Sequence, residues 1–99
     1  MLHILLIVDD DPDIMEILQY SPEAEGYHVI ISYTGKYAMA LVESKNPVLI
    51  LIDIRLRDLD GREICRRNKA GKHMYLPVIF ISAQAALDMS QELAQGKIN

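Results

Sequence analysis

Acidic side chains directly follow two apolar segments of the sequence, and a hydroxyl group follows a third. In chain order these residues are Asp9, Asp10 and Asp11, then Asp53, then Ser82 and Ala83. Carboxylates packed together repel one another, and a hard cation such as Mg²⁺, which prefers oxygen ligands and water, removes that repulsion. A carboxylate beside Mg²⁺ can attack phosphorus to give an acyl phosphate, while a serine hydroxyl hydrogen-bonds a phosphoryl oxygen. The residue types therefore indicate a magnesium-dependent phosphoryl site.

A simpler interpretation gives the same aspartates a purely structural role. The run Asp9-Asp10-Asp11 can cap a following helix, and Asp53 can be a strand-end residue that faces water. For any single aspartate this interpretation is the better one. Capping does not explain acidic residues after two apolar segments together with a serine after a third, so the whole pattern favours the metal and phosphoryl site.

Four short apolar, β-branched segments predict the strands that position these residues. They span residues 3–8, 28–32, 48–52 and 77–81. The third segment is apolar at every position, whereas a strand with one wet face would alternate, so we expect it to be covered on both faces. The fourth segment has the same character.

Helical patterns separate the predicted strands. They begin at Asp11-Pro12, near Gly35, near Asp60-Gly61 and near Ala83, and the last ends at about Gln95. Strands that alternate with helices imply right-handed crossovers, a parallel sheet and the α/β class. Ligands of such open sheets bind at the carboxyl ends of the strands, where the acidic residues and the serine are expected to converge.

The composition narrows the class of protein. The chain has 99 residues, of which 51% are hydrophobic, which predicts one globular domain over residues 1–99. A formal charge of −4 and a pI near 5.2 argue against a nucleic-acid partner held by a broad basic surface. The apolar segments fall far short of the roughly 20 residues that span a bilayer, so no membrane partner is expected. The lone Cys65 excludes an internal disulfide framework, and with no basic segment after Met1 the chain is predicted to be cytoplasmic.

Five segments, in this order and spacing, resemble the receiver domain of bacterial response regulators. They read ILLIVDDDPD at 4–13, GYHV at 26–29, NP at 46–47, DIRLRDLDG at 53–61 and PVIFISA at 77–83. The resemblance covers about residues 3–90. It implies a flavodoxin-like, doubly wound parallel sheet with helices on both faces, in which the family's five strands have the order 2-1-3-4-5.

The resemblance also implies a role for each matching acidic residue. Asp53 matches the phosphoacceptor, which takes a phosphoryl group from a sensor histidine kinase or a phosphotransfer protein and also serves as a Mg²⁺ ligand. Asp10 matches a direct Mg²⁺ ligand, Asp9 a neighbour that holds the ion through water, and the backbone carbonyl of Arg55 the third protein ligand.

The segment after the fourth strand matches the family's switch residues. Ser82 matches the switch hydroxyl that turns toward the phosphoryl group, and Ala83 matches the small residue that leaves room for it. The implied protein belongs to two-component signalling and is a switch that catalyses its own phosphorylation, not a turnover enzyme.

The largest departure from the family pattern lies at the end of the sequence. In the family a fifth strand ends in a Lys-Pro pair, at a position that falls past Asn99 when it is counted from Ser82; Lys97 comes too early and is followed by Ile98. We therefore expect strand order 2-1-3-4, without the fifth strand, its lysine and the last helix. Because strand four would then be an exposed edge, we also expect homodimerisation through that edge or through a swapped segment.

Three internal positions depart from the pattern as well. Pro22 lies where the first helix should continue, and because proline costs about 3 kcal/mol inside a helix, we expect the helix to stop near Tyr20 or to kink there. Asn68 occupies a position that is usually aliphatic, and Arg57 replaces the proline usual in the loop after the acceptor.

Two other functions remain open at this point. The chain could be a receiver-like association module that no longer takes part in phosphotransfer, which the missing lysine favours. It could also be a phosphohydrolase of the haloacid-dehalogenase type, with Asp9 and Asp11 as nucleophile and acid/base and Ser82 binding phosphate. The second alternative leaves Asp53 without a function.

Overall fold

The computed structural model describes residues 3–81, which form a four-stranded parallel sheet and three helices. The elements are β1 (Ile4–Val8), α1 (Pro12–Ala24), β2 (His28–Ser32), α2 (Gly35–Lys45), β3 (Leu49–Asp53), α3 (Gly61–Lys69) and β4 (Val78–Ile81). The sheet has the order β2-β1-β3-β4, and every neighbouring pair is parallel. The predicted α/β class and the 2-1-3-4 strand order are confirmed. The helix predicted to begin near Ala83 and the expected absence of a fifth strand lie outside the described residues.

Alternating side chains of the central strands bury themselves on opposite faces of the sheet. On one face Leu5 and Ile7 of β1 pack with the apolar stripe of α1, which consists of Ile14, Met15 and Leu18. On the other face the strands pack against α2 and α3; this cluster includes Leu6, Val8, Ile50, Ile52, Ala38, Leu41, Val42 and Ile64. Helices therefore cover both faces of the sheet, as predicted.

The third strand is covered on both sides, but the fourth is not covered in the same way. Ile50 and Ile52 are buried, and Leu49 and Leu51 are half-buried against the cluster around α1. In β4, Ile79 and Phe80 are 50% and 39% exposed. The prediction that the fourth strand is covered on both faces, as the third is, was therefore wrong. In the part of the chain that the structure describes, β4 lies at one edge of the sheet.

The first helix continues through its proline. It was expected to stop near Tyr20 or to kink there, and it does not stop: it runs to Ala24 and so includes Pro22. Pro22 lies in the last turn, where a lost backbone bond costs less than in the middle of a helix. Its carbonyl oxygen accepts bonds from the backbone N–H groups of Glu25 at 3.2 Å and Tyr27 at 3.0 Å, which close the helix C-terminus.

The other two helices begin at side-chain caps. Thr34 accepts a bond from the Tyr37 N–H at the start of α2, and Asp60 accepts one from the Arg62 N–H at the start of α3. Asn68, in the last turn of α3, is buried, and its Nδ2 has no hydrogen-bond partner among residues 3–81. None of the three helices in this part of the chain is long and apolar enough to cross a membrane.

Candidate functional site

Three carboxylates meet at the carboxyl edge of the sheet. Val8 of β1 pairs with Ile52 of β3, so the residues that follow them, Asp9 and Asp53, lie side by side. One carboxylate oxygen from each of Asp9, Asp10 and Asp53 lies within 4.8 Å of the other two. The parallel register therefore assembles the acidic group that the sequence pattern indicated.

Asp9 is the buried member of this acidic group. Its side chain is only 3% exposed, and its Oδ1 accepts a bond from the backbone N–H of Asp11 at 2.9 Å. Burial raises the pKa of the Asp9 carboxyl; the bond from Asp11 opposes the shift, and the neighbouring charges of Asp53 and Asp10 add to it. A nearby cation would stabilise the ionised form of such a carboxylate, because it offsets both the cost of burial and the repulsion from the neighbouring charges.

Asp53 and Asp10 are half-buried and reach the solvent. The Oδ1 of Asp53 accepts a bond from the backbone N–H of Arg55 at 3.1 Å, which fixes the orientation of the carboxylate. The Oδ2 of Asp10 lies 3.6 Å from the Nε of Arg57. The exposed side of the acidic group thus consists of one carboxylate oriented by the backbone and one paired with a cation.

Asp11 has a different role from its two neighbours. Its Oδ1 accepts a bond from the backbone N–H of Asp13 at 2.9 Å, and its carbonyl oxygen accepts one from Met15 at 3.0 Å. These contacts cap the N-terminus of α1. The structural interpretation of the aspartates is therefore right for Asp11, while Asp9 and Asp10 join the acidic group.

The loop after Asp53 is attached to helix α3. The N–H of Gly61 donates to the carbonyl oxygen of Ile54 at 2.8 Å, and residues Arg55 and Asp60 form an isolated antiparallel bridge. A Cβ at position 61 would lie inside 3.0 Å of the Asp53 carbonyl oxygen, so only glycine fits here without a backbone shift. The close approach fixes the start of α3 against the backbone of Asp53.

The same loop is attached to helix α2 through Asp58, a residue that the sequence analysis missed. The Asp58 carboxylate accepts bonds from the backbone N–H groups of Gly35 at 2.9 Å and Lys36 at 3.0 Å. These bonds lower the pKa of Asp58, the Gly35 bond most. The one signal in the sequence is that the first turn of α2 carries no acidic residue of its own to stabilise its free N–H groups.

The remaining predicted site residues can be located only in part. Arg55 lies two residues after Asp53 in the loop, and its backbone N–H is bound to that carboxylate. Ser82 and Ala83 directly follow β4 but lie outside the described residues. The roles assigned to the six predicted site residues stay predictions; these residues are Asp9, Asp10, Asp53, Arg55, Ser82 and Ala83.

The donor set fits a hard divalent cation. Three carboxylates, with one oxygen of each within 4.8 Å of the other two, provide only oxygen ligands, and Asp10 and Asp53 remain accessible to water. Burial raises the pKa of the Asp9 carboxyl, and the negative charges of Asp53 and Asp10 add to the shift; a cation at this position would offset both effects.

An acidic group at the carboxyl edge of a 2-1-3-4 parallel sheet is the arrangement that the receiver resemblance implied for this α/β domain. In agreement, residues 5–99 match the response regulator receiver domain family, and the chain belongs to that family. The resemblance inferred from the five sequence segments is confirmed.

Individual relatives support the same assignment. The alkaline phosphatase synthesis transcriptional regulatory protein PhoP of Bacillus subtilis (strain 168) is 38% identical over 80 residues. That match covers 81% of this chain and 33% of PhoP, so the chain spans about a third of the length of this relative.

Solved structures superimpose closely on this fold. A putative response regulator from Chloroflexus aurantiacus J-10-fl gives a TM-score of 0.80 with 30% identity, and the match covers 98% of this chain and 79% of that one. The signal receiver domain of a signal transduction histidine kinase from Syntrophus aciditrophicus gives 0.75 with 29% identity, over 91% and 71% of the two chains.

Proposed function

We propose that this chain is the phosphoacceptor domain of a two-component response regulator, which takes a phosphoryl group onto Asp53 in the presence of Mg²⁺. The donor would be a sensor histidine kinase or a phosphotransfer protein. The observation that carries the proposal is the convergence of Asp9, Asp10 and Asp53 within 4.8 Å at the carboxyl edge of the sheet. Family membership supports the same function.

The metal-binding roles are those that the family resemblance implies. We assign Asp10 as a direct ligand, Asp9 as a residue that holds the ion through water, and the backbone carbonyl of Arg55 as a further ligand. The burial of Asp9 and the exposure of Asp10 agree with this division. Bound Mg²⁺ would neutralise negative charge on the phosphoryl oxygens.

The nucleophile is the Asp53 carboxylate. Because its Oδ1 is held by the Arg55 N–H, we assign the attack to Oδ2. A bond forms between Oδ2 and phosphorus, the bond from phosphorus to the donor nitrogen or oxygen breaks, and the leaving group takes up a proton. The Arg55 N–H and the fixed loop position the carboxylate for this in-line transfer.

Several finer assignments belong to the same proposal. Ser82 as the switch hydroxyl, Ala83 as its small neighbour, and action as a switch and not as a turnover enzyme rest on the family match. A single domain over 1–99 and a cytoplasmic location rest on the length and composition of the sequence. Homodimerisation through the β4 edge or a swapped segment rests on the place of β4 at one edge of the sheet within residues 3–81.

The hydrolase alternative has less support than the receiver function. It requires Asp11 to act as acid/base beside Asp9, but the Asp11 carboxylate is bound to the Asp13 N–H at the start of α1. It also leaves Asp53, which faces the other two carboxylates, without a function.

The experiment that tests the proposal is acceptance of a phosphoryl group from a small donor. The protein is incubated with Mg²⁺ and acetyl phosphate, and the intact mass is recorded for the wild type, Asp53→Asn and Asp11→Asn. We expect the wild type and the capping variant Asp11→Asn to gain one phosphoryl group and Asp53→Asn to gain none. A folded wild type that gains no mass would refute the proposal and favour the association module.

A further inference from the structure

An arginine lies beside the proposed metal ligand. The Nε of Arg57 is 3.6 Å from the Oδ2 of Asp10, and the Arg57 side chain is 92% exposed. Arg57 is in the loop that follows Asp53, at a position that is usually proline in the receiver family. It is the cation that forms an ion pair with the acidic group within residues 3–81.

The position of Arg57 is imposed by its two neighbours. On one side Leu56 is buried in the core cluster that contains α2 and α3. On the other side the Asp58 carboxylate is bound to two backbone N–H groups at the start of α2. The backbone at Arg57 is therefore held next to the acidic group, while its long side chain remains free to move.

We infer that Arg57 is an internal counter-ion which pairs with Asp10 when no metal is bound and leaves when Mg²⁺ binds, so that it weakens the Mg²⁺ affinity of the site. This inference rests on the proposed function, because it takes Asp10 as a ligand of the ion. It goes beyond that function by naming a residue that sets the Mg²⁺ concentration at which the site becomes loaded.

The charge and the exposure of Arg57 both support this exchange. A guanidinium stays protonated in proteins, so it cannot lower its charge as the metal arrives and has to move away from it. Because the side chain is almost fully exposed, moving it disrupts no packing and breaks only one ion pair. An exposed pair of this kind is weak, so the expected effect on the dissociation constant is about fivefold, or ~1 kcal/mol.

Calorimetric titration with MgCl₂ tests the inference without any phosphodonor. The variants are Arg57→Gln, which removes the charge, and Arg57→Lys, which keeps it. The matched control is Lys45→Gln, which removes one positive charge at the last residue of α2, at the opposite end of the sheet. We expect Arg57→Gln to bind Mg²⁺ about fivefold more tightly than the wild type at low salt, and the control to bind like the wild type. The difference should shrink at high salt, because salt screens exposed charges.

A direct spectroscopic readout separates displacement from a general charge effect. The Arg57 Nε–H resonance, identified by its loss in Arg57→Gln, should shift during the Mg²⁺ titration with the same midpoint as the backbone amides of Asp10 and Asp53. An unchanged Nε–H resonance, or equal Mg²⁺ affinity in the wild type and Arg57→Gln, would overturn the inference and leave the metal site intact. Absence of Mg²⁺ binding in every variant would overturn the metal site itself, and the inference with it.

Discussion

Replacing Gly61 by alanine would place a methyl group against the backbone of the proposed phosphoacceptor. The added Cβ would lie inside 3.0 Å of the Asp53 carbonyl oxygen and 3.2 Å from the Cα of Ile54. Ordinary van der Waals contact begins at 3.4 Å, and the Asp53 carbonyl oxygen would lie inside 3.0 Å of the new Cβ. The start of α3 and the end of β3 must therefore move apart by more than 0.4 Å. Both contacts are to backbone atoms, and the 2.8 Å bond from Gly61 to Ile54 resists the separation.

The expected cost follows from two opposing effects. Overpacking a well-filled site costs about 1–3 kcal/mol. Replacing glycine by alanine restricts the unfolded chain and returns about 0.4–1 kcal/mol. We therefore expect Gly61→Ala to lower the free energy of unfolding by about 1–2 kcal/mol. Because the shift moves Asp53, the yield of phosphoprotein with acetyl phosphate should fall as well.

Gly71→Ala is the matched control. A Cβ there would lie 3.7 Å from its nearest neighbour, the Arg67 carbonyl oxygen, which is ordinary contact, and the backbone is not in the left-handed region. This variant should be neutral or slightly stabilised. Urea unfolding followed by far-UV circular dichroism measures both variants against the wild type. If Gly61→Ala were as stable as Gly71→Ala, the steric argument would be refuted.

Three further substitutions test other parts of the structure. Asp58→Ala removes two bonds to the first turn of α2 and should cost about 1–2 kcal/mol at pH 7. Since these bonds lower the pKa of Asp58, their contribution to stability should disappear as the pH falls from about 4 through that lowered pKa. A difference in urea midpoint between the wild type and Asp58→Ala that is the same at pH 7 and pH 2 would contradict this. Asn68→Leu removes a buried Nδ2 without a described partner and should stabilise the fold by about 1–2 kcal/mol, seen as a higher Tm; an unchanged Tm would argue against an unsatisfied amide. Asp9→Asn should stabilise the metal-free protein at pH 7 by ~1 kcal/mol, because it removes a buried charge and because charges no more than 4.8 Å apart repel by about that amount even in water. Because the pKa of Asp9 is raised in the folded protein, wild-type stability falls as the pH rises through that pKa. The stability difference between Asp9→Asn and the wild type should therefore disappear in acid. Equal differences at pH 3 and pH 7 would count against a raised pKa at Asp9.

The strands and the acidic edge could be predicted because each depends on local pattern. The apolar runs that end at Val8 and at Ile52 define strand ends, and parallel pairing then brings Asp9 and Asp53 together. The 2-1-3-4 order came from the family resemblance, because alternation of strands and helices does not by itself fix the order of the strands.

The parts that could not be predicted depend on contacts between distant residues. The bond from Gly35 to Asp58 joins positions 23 apart in sequence, and a cap supplied from another element leaves no periodic pattern. The tolerance of Pro22 depends on where the helix ends, which is decided by the backbone bonds after it. The pairing of Arg57 with Asp10 depends on how the loop is held between its neighbours.

The register between β1 and β3 links the formation of the core to the assembly of the acceptor site. Asp53 is the last residue of a strand in which Ile50 and Ile52 face the core cluster. A slip of one residue would turn both isoleucines toward the opposite face and would move Asp53 away from Asp9. An error that dismantles the acceptor site therefore also dismantles the core. A chain that folds with this core intact therefore has Asp9 and Asp53 side by side before a metal or a phosphodonor arrives.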